Sequence, residues 1–338
     1  MAKKKAITND NLSKSLKDII GGLPQEVRNS DDFLDVISWN LRWFNYKEED
    51  RVKNIVEILT YLNADLFIFQ EIQPGSLDVV AEKLKENGAG FYEVVYGSTG
   101  GDQRVAIMYD TEWVRTKDSV VELFGKGAVK TGDNKEVFPR LPLYGYFLAK
   151  SPNPDESGFT FQLVGVHLKS QVGGGSSQRR TAAEKLAYWL EKEANDIDAD
   201  TVIIGDWNKE PTDPDWTALQ ELEAEKKVLF EQINDSSDFS HLYYQNKNEI
   251  GSRLDIALMT SSAAKTMANK KTQVARWITI DNLLASAPEM KVAEIKAVLN
   301  NIKDNISDHM PLFVRYYLVE KPKTGTKKKK GTKKAVRG

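Results

Sequence analysis

From residue 34 onward, short apolar runs alternate with stretches of helical spacing, and the apolar runs stop at polar residues. Leu34–Trp39 stops at Asn40 and Asp65–Phe69 at Gln70-Glu71. Phe161–Val166 stops at His167, and Thr201–Ile204 at Gly205-Asp206-Trp207-Asn208. Apolar runs this short read as buried strands. A plain strand end needs no carboxylate, amide or imidazole. If the strands share a sheet direction, these side chains converge on one rim, where open α/β sheets place their sites. One pattern therefore constrains both the fold and the place of its chemistry.

Between the runs lie helical stretches. Glu48–Leu62 puts Val52, Ile55, Ile58, Leu59 and Leu62 on one face, and Ser176–Ala194 does so with Ala182, Leu186, Trp189 and Leu190. Ser76–Glu86, Met290–Ile302 and a short segment near Asn11–Ile20 also read as helices. Further strands are expected at Phe91–Val95, Gln103–Tyr109, Ser119–Leu123, Leu143–Ala149, Arg253–Met259, Thr272–Ile278 and Leu312–Leu318. Helix-linked strands mixed with consecutive strands predict a layered α/β sandwich with mixed sheets. The expected organisation is an N-terminal extension over 1–30, one domain over 31–319 and a disordered basic tail over 320–338.

The length of 338 residues suits one large α/β domain. No apolar run approaches the roughly 18 residues of a membrane span. The basic start, Met1-Ala2-Lys3-Lys4-Lys5, is not followed by an apolar signal region, so the expected location is the cytoplasm. The absence of cysteine excludes disulfides, thiolate metal sites and cysteine nucleophiles. The net charge of −2 conceals nine Lys/Arg and no acid in residues 321–338; taking +9 from −2 leaves −11 for residues 1–320. Such a tail cannot bury apolar surface. It is either a solvated end or an arm that holds phosphate backbone.

There are only three histidines. His167 ends a strand, and His309 lies in Ser307-Asp308-His309-Met310-Pro311 before the run Leu312–Leu318. Together with Asn40, Glu71, Asp206, Asn208 and Asp308, they form a set of hard oxygen donors and two imidazoles. Such donors suit Mg²⁺, and also Mn²⁺ or Ca²⁺, better than a structural zinc site. The chemistry they fit is attack on a phosphate ester: a cation neutralises developing charge, one group activates water and another serves the leaving oxygen. The third histidine, His241, reads as a structural or rim residue in a loop before the Arg253–Met259 strand.

In their order, Ser38-Trp39-Asn40, Gln70-Glu71, Gly165-Val166-His167, Gly205-Asp206-Trp207-Asn208, Arg253-Leu254-Asp255 and Ser307-Asp308-His309-Met310-Pro311 resemble the endonuclease/exonuclease/phosphatase superfamily. The resemblance implies an α/β four-layer αββα sandwich, with two packed mixed sheets flanked by helices. It implies Asn40, Glu71 and Asp308 as metal or metal-water ligands, and Asp206 and Asn208 as the pair at the scissile phosphate and nucleophile. His309 is then the catalytic imidazole, oriented by Asp255, and His167 a second imidazole. His167 is similar to the histidine of the deoxyribonuclease I-like, inositol polyphosphatase and sphingomyelinase branches; exonuclease III-type enzymes carry a tyrosine there.

Asn40-Leu41-Arg42, Arg140-Leu141-Pro142 and His167-Leu168-Lys169-Ser170 are similar to the deoxyribonuclease I-like nucleases, which implies Arg42, Arg140 and Lys169 as substrate contacts. Arg179 and Arg180 resemble the Arg-rich helix start of secreted bacterial nucleases. Where that branch pairs a glutamate with its first imidazole, the best match here is Gln103, a neutral amide. The reading is a metal-dependent phosphodiesterase of nucleic acid, DNA foremost, leaving 5′-phosphates. It is expected to be a monomer without a protein partner. Two alternatives stay open: a phosphoinositide phosphatase or sphingomyelinase, and a non-catalytic nucleic-acid-binding protein.

Overall fold

A computed structural model describes residues 12–22, 32–152, 158–230, 239–247, 249–268 and 272–318. Its strands, in chain order, begin with β1 (Phe33–Phe44), β2 (Leu66–Ile72), β3 (Tyr92–Tyr96), β4 (Arg104–Asp110) and β5 (Val114–Thr116). Next come β6 (Val121–Glu122), β7 (Leu143–Ala149), β8 (Phe159–His167), β9 (Thr201–Asp206) and β10 (Val228–Phe230). The series ends with β11 (His241–Asn246), β12 (Glu249–Ser252), β13 (Asp255–Thr260), β14 (Gln273–Val274) and β15 (Leu312–Tyr317). The principal helices are α1 (Lys14–Ile20), α2 (Glu49–Leu62), α3 (Ser76–Glu86), α4 (Ser176–Trp189), α5 (Thr217–Ala224), α6 (Ser261–Thr266), α7 (Ile278–Ser286) and α8 (Val292–Asn305).

One sheet has the order β14-β15-β1-β2-β4-β3 and the other β10-β13-β9-β8-β7-β5, with β6 also on β7. Both are mixed: β1–β2 and β8–β9 are parallel, and the pairs around them antiparallel. Alternation sorts the side chains into layers. On β1, Leu34 and Val36 face the second sheet, while Ile37, Trp39 and Leu41 face α2, α3, α7 and α8. On the second sheet Leu163 and Ile204 point inward, and Val164 and Ile203 pack under α4 and α5. The result is the expected αββα sandwich. Each parallel pair needs a crossover helix, α2 for β1–β2 and α4 for β8–β9. The carboxyl ends of all four strands then open on one edge.

Several elements differ from expectation. The Ser119–Leu123 strand shrinks to Val121–Glu122, because its partner β7 begins after Pro142, which has no N–H for the ladder. The Thr272–Ile278 strand likewise reduces to Gln273–Val274. It ends against Pro311, and Trp277 then leads into α7. The helix from Ser176 changes to a π-helical turn over Leu190–Ala194. His241 opens a hairpin strand instead of lying in a loop. Within the stretch expected as an extension, α1 buries Leu16 and Ile20 in the core under the first sheet. The expected basic tail, 320–338, lies outside the described residues.

Candidate active site

The two sheets meet at the edge where their parallel pairs end. Asn40 closes β1's regular pairing with β2, and its Nδ2 donates to Glu71 Oε1 at 3.3 Å and across the seam to Asp206 Oδ2 at 3.0 Å. That same Asp206 oxygen lies 3.6 Å from His167 Nε2 and 3.9 Å from His309 Nε2. Asp255, opposite Asp206 in the β9–β13 register, holds His309 Nδ1 at 2.7 Å. The Asn208 N–H donates to Asp206 Oδ1 at 2.8 Å, and the Asn208 side chain donates to the Leu168 carbonyl. Ser307 ties the last motif to the first: its hydroxyl donates to the Asn40 carbonyl at 2.7 Å and accepts the His309 N–H. Trp39 Nε1 donates to the His309 carbonyl.

The backbone is strained here. Of the eight non-glycine residues with positive φ among those described, Arg42 (44°), Trp43 (52°), Glu71 (60°) and Asn208 (60°) line this cleft. Such conformations cost on the order of 1–3 kcal/mol each and gather at functional sites. The first two form a bulge where the β1–β2 register breaks between Asn40 and Phe44. The bulge is held by Trp43 N–H donating to Glu71 Oε2 and Arg42 N–H donating to Asn40 Oδ1.

The electrostatics separate the groups. Burial opposes a charge on His309, but Asp255, then Asp206 and Asp308, outweigh it and push the imidazole up to about 10. Burial holds the Asp206 carboxyl above its ordinary range, against the pull of the His309 cation. Burial, and then Arg140 and His309, hold His167 well below its ordinary value. His167 Nδ1 is buried without a hydrogen-bond partner.

Other expected residues stand differently. Gln103 does not pair with His167; its side chain lies between Arg140, which donates to Oε1 at 2.8 Å, and Glu71 Oε2 at 3.3 Å. Arg140 thus reaches the site through Gln103. Lys169 Nζ turns back to the Val172 carbonyl and is not on the cleft wall. Arg179 is buried: it pairs with Asp215 at 2.8 Å and donates to the Lys169 carbonyl, so it braces the loop instead of offering charge to a ligand. Arg42 lines the cleft beside Asp308, 3.4 Å away, which Lys303 also approaches at 3.5 Å.

The cleft, about 890 Å³, is also lined by residues no motif marked. His241 bridges to His309 across a short antiparallel contact, their rings 4.7 Å apart, and accepts or donates through Nδ1 to Ser252 at 3.0 Å. Trp43 (60% exposed) and Tyr243 (53%) present open rings at the mouth. Three histidines in one chain were the available signal for His241; exposed aromatics carry none in a sequence.

Among the described residues no three His, Asp or Glu side chains group closely enough for a closed metal cage. The donors that are present suit a hydrated hard cation, which uses one or two carboxylates and keeps its waters. Glu71 accepts the Trp43 N–H at 3.1 Å and long side-chain amide bonds at 3.3 Å from Asn40 and Gln103, all neutral donors, so its charge is weakly compensated. The Asn40 amide oxygen accepts one N–H and retains a second lone pair.

A conventional sandwich, a seam-spanning carboxylate and an imidazole backed by a carboxylate define a phosphoesterase class of site. The Endonuclease/Exonuclease/phosphatase family matches residues 37–309, and the chain belongs to that family. Its members are hydrolases acting on phosphoester bonds and generally use divalent metals. Similar solved structures include a humanized D. rerio TDP2 (15% identity, TM-score 0.56, covering 85% of this chain and 99% of that one). A mannosyl-6-phosphatase of Bacteroides thetaiotaomicron is also similar (18%, TM-score 0.56, 83% and 98%). So is the human nocturnin catalytic domain (15%, TM-score 0.56, 85% and 95%). At such identities the likeness is one of fold. Comparison with curated protein sequences gives no match.

Proposed function

We propose that the chain is a divalent-metal-dependent phosphodiesterase that hydrolyses nucleic acid, DNA foremost, leaving 5′-phosphates. The observation that carries this reading is Asp206 set between His167 at 3.6 Å and His309 at 3.9 Å, with Asp255 behind His309 at 2.7 Å. Asp206, made more basic by burial, takes the proton of the attacking water. Asn208 holds that carboxylate from its other oxygen. His309, kept cationic by Asp255, faces the charge that develops on the phosphoryl oxygens. His167, neutral at physiological pH, faces the same centre from the second sheet and can donate a hydrogen bond to a phosphoryl oxygen, while the His309 cation supplies the proton to the leaving oxygen. Glu71 and Asn40, with Asp308, would hold Mg²⁺; when bound it supplies neutralisation of phosphoryl charge.

Nucleic acid is favoured by the cleft mouth. Trp43 and Tyr243 offer exposed faces on which bases stack. Arg42, Lys209 and Lys303 beside them offer cations to phosphates. A phosphorylated cyclitol would have nothing to stack. The test is a digestion panel of plasmid, single-stranded DNA, RNA and inositol polyphosphate with Mg²⁺. Plasmid nicking should be lost with EDTA and in His309→Ala. Nicking that survives both treatments overturns the mechanism. Release of inorganic phosphate from the cyclitol without nicking replaces the substrate assignment, and DNA binding without any turnover refutes the enzyme.

A further inference from the structure

Arg51, in the first turn of α2, is buried at 5% exposure on the same face as Ile55, Ile58 and Leu62. Buried arginines ordinarily sit against buried carboxylates. Here the carboxylate partner is Glu48, at 3.0 Å on the solvent side and 44% exposed. The rest of the guanidinium fork is given to main-chain carbonyls. Nη2 donates to Arg42 O at 2.8 Å and to Leu41 O, and Nε donates to Ile306 O at 2.9 Å. Leu41 and Arg42 lie where the register breaks directly after Asn40, Arg42 being the first of the two left-handed residues, and Ile306 directly precedes Ser307-Asp308-His309. Asn54, one turn further along α2, adds a bond to the Asn305 carbonyl at 3.1 Å.

These contacts have a common consequence. The left-handed residues Arg42 and Trp43 take the bulge carbonyls out of the sheet ladder, and buried carbonyls need donors. A single planar fork supplies them and joins the bulge to the turn that carries His309. We infer that Arg51 is a positioning residue for catalysis. It sets the Asn40–Trp43 wall and the Asp308–His309 wall of the cleft relative to each other, without itself touching substrate. A lysine cannot reproduce it, because one ammonium cannot span carbonyls arranged about a planar fork.

The kinetic part of the test rests on the phosphodiesterase reading; a spectroscopic part does not. Arg51→Lys and Arg51→Ala are first shown to be folded by thermal unfolding. The ¹⁵N–¹H signals of the His309 ring, recorded without substrate, should shift in both variants. With bis(4-nitrophenyl) phosphate, kcat should fall by roughly tenfold or more while KM stays within about twofold, as expected for misplacement of reacting groups. Added guanidinium should restore Arg51→Ala but not His309→Ala. If Arg51→Lys does not fold, Arg51→Gln, an uncharged donor, replaces it under the same readouts. Folded variants with parental kcat and unmoved His309 signals would leave Arg51 a purely structural residue and overturn the inference. A parent protein inactive on every phosphodiester would refute the phosphodiesterase reading, and the ring signals would still decide the role of Arg51.

Discussion

Three imidazoles lie within one seam and hold different charges for physical reasons that can be named. His309 has a carboxylate on its Nδ1 at 2.7 Å and stays cationic. His167, buried, and His241, half-buried on the cleft wall, lack such a partner and stay neutral. His241 is held at about 4 by burial and then by the His309 cation. The unfolded chain binds a proton there below about 6.5, and the folded chain does not. The unfolded state therefore binds more protons, and stability rises with pH through this range. The contribution of His241 is complete above about 6.5 and is lost as the pH falls to about 4. His167, depressed in the same direction by burial, adds to the loss of stability as the pH falls below about 6.5. His241→Phe keeps a ring against His309 but cannot take the proton. Its denaturant stability should decline less steeply with acid than that of the parent. Equal slopes for the two proteins would show that His241 is not the group being protonated.

At the scale of the element, the close pairing of β8 and β9 decides whether the second sheet forms. Gly205 takes φ +153°, and a Cβ there would lie 2.0 Å from the Val166 carbonyl oxygen. Neither strand can retreat without pulling His167 away from Asp206, which pair in register. Gly205→Ala should cost more than about 4 kcal/mol, the range of a named structural defect. Expression and thermal unfolding of the variant measure it; a folded protein with near-parental Tm would show that the strands can part.

Much of this sheet was legible in sequence. Strands buried on both faces read as unbroken apolar runs, and their polar ends stood out against them. The elements that were not legible lack that contrast. The hairpin β11–β12 is largely exposed around Tyr243 and Gln245, so no alternation marks it. Trp277-Ile278, the end of the Thr272–Ile278 run, looks like a strand end. It becomes the start of α7 because Pro311 ends the ladder and Trp277 packs edge-on against Trp39. Arg179 resembled part of an Arg-rich helix start, and its bracing role was hidden because its partner, Asp215, is 36 residues away in sequence. Arg51 left a trace, a charge on an apolar helix face, but its acceptors are carbonyls, which no sequence displays.

At the scale of the whole molecule, the site belongs to neither sheet alone. Asn40, Glu71 and the turn before β15 come from the first sheet's side, and His167, Asp206 and Asp255 from the second. Asn40 is a direct side-chain link between them, donating to Asp206 at 3.0 Å. Of the four carboxyl groups around this seam, Asp308 faces Arg42 and Lys303, and Asp206 and Asp255 face His309, whereas Arg140 reaches Glu71 only through Gln103, so the carboxylate excess lies at Glu71. A divalent ion held by Glu71 should offset that excess only when the sheets are packed, so it binds the folded state and not the unfolded one. Binding of this kind stabilises by about 2.7 kcal/mol when the ligand is present at 100 times its Kd. For a domain of this size each kcal/mol raises Tm by roughly 2–4 °C. Mg²⁺ should therefore raise Tm by several degrees in a concentration-dependent way, with no substrate present. Glu71→Gln keeps the shape and the acceptor oxygen but removes the charge, and should lose most of that increment. If Mg²⁺ leaves the parent Tm unchanged, or if Glu71→Gln responds as the parent does, then Glu71 is not the group that ties the ion to the packing of the two sheets.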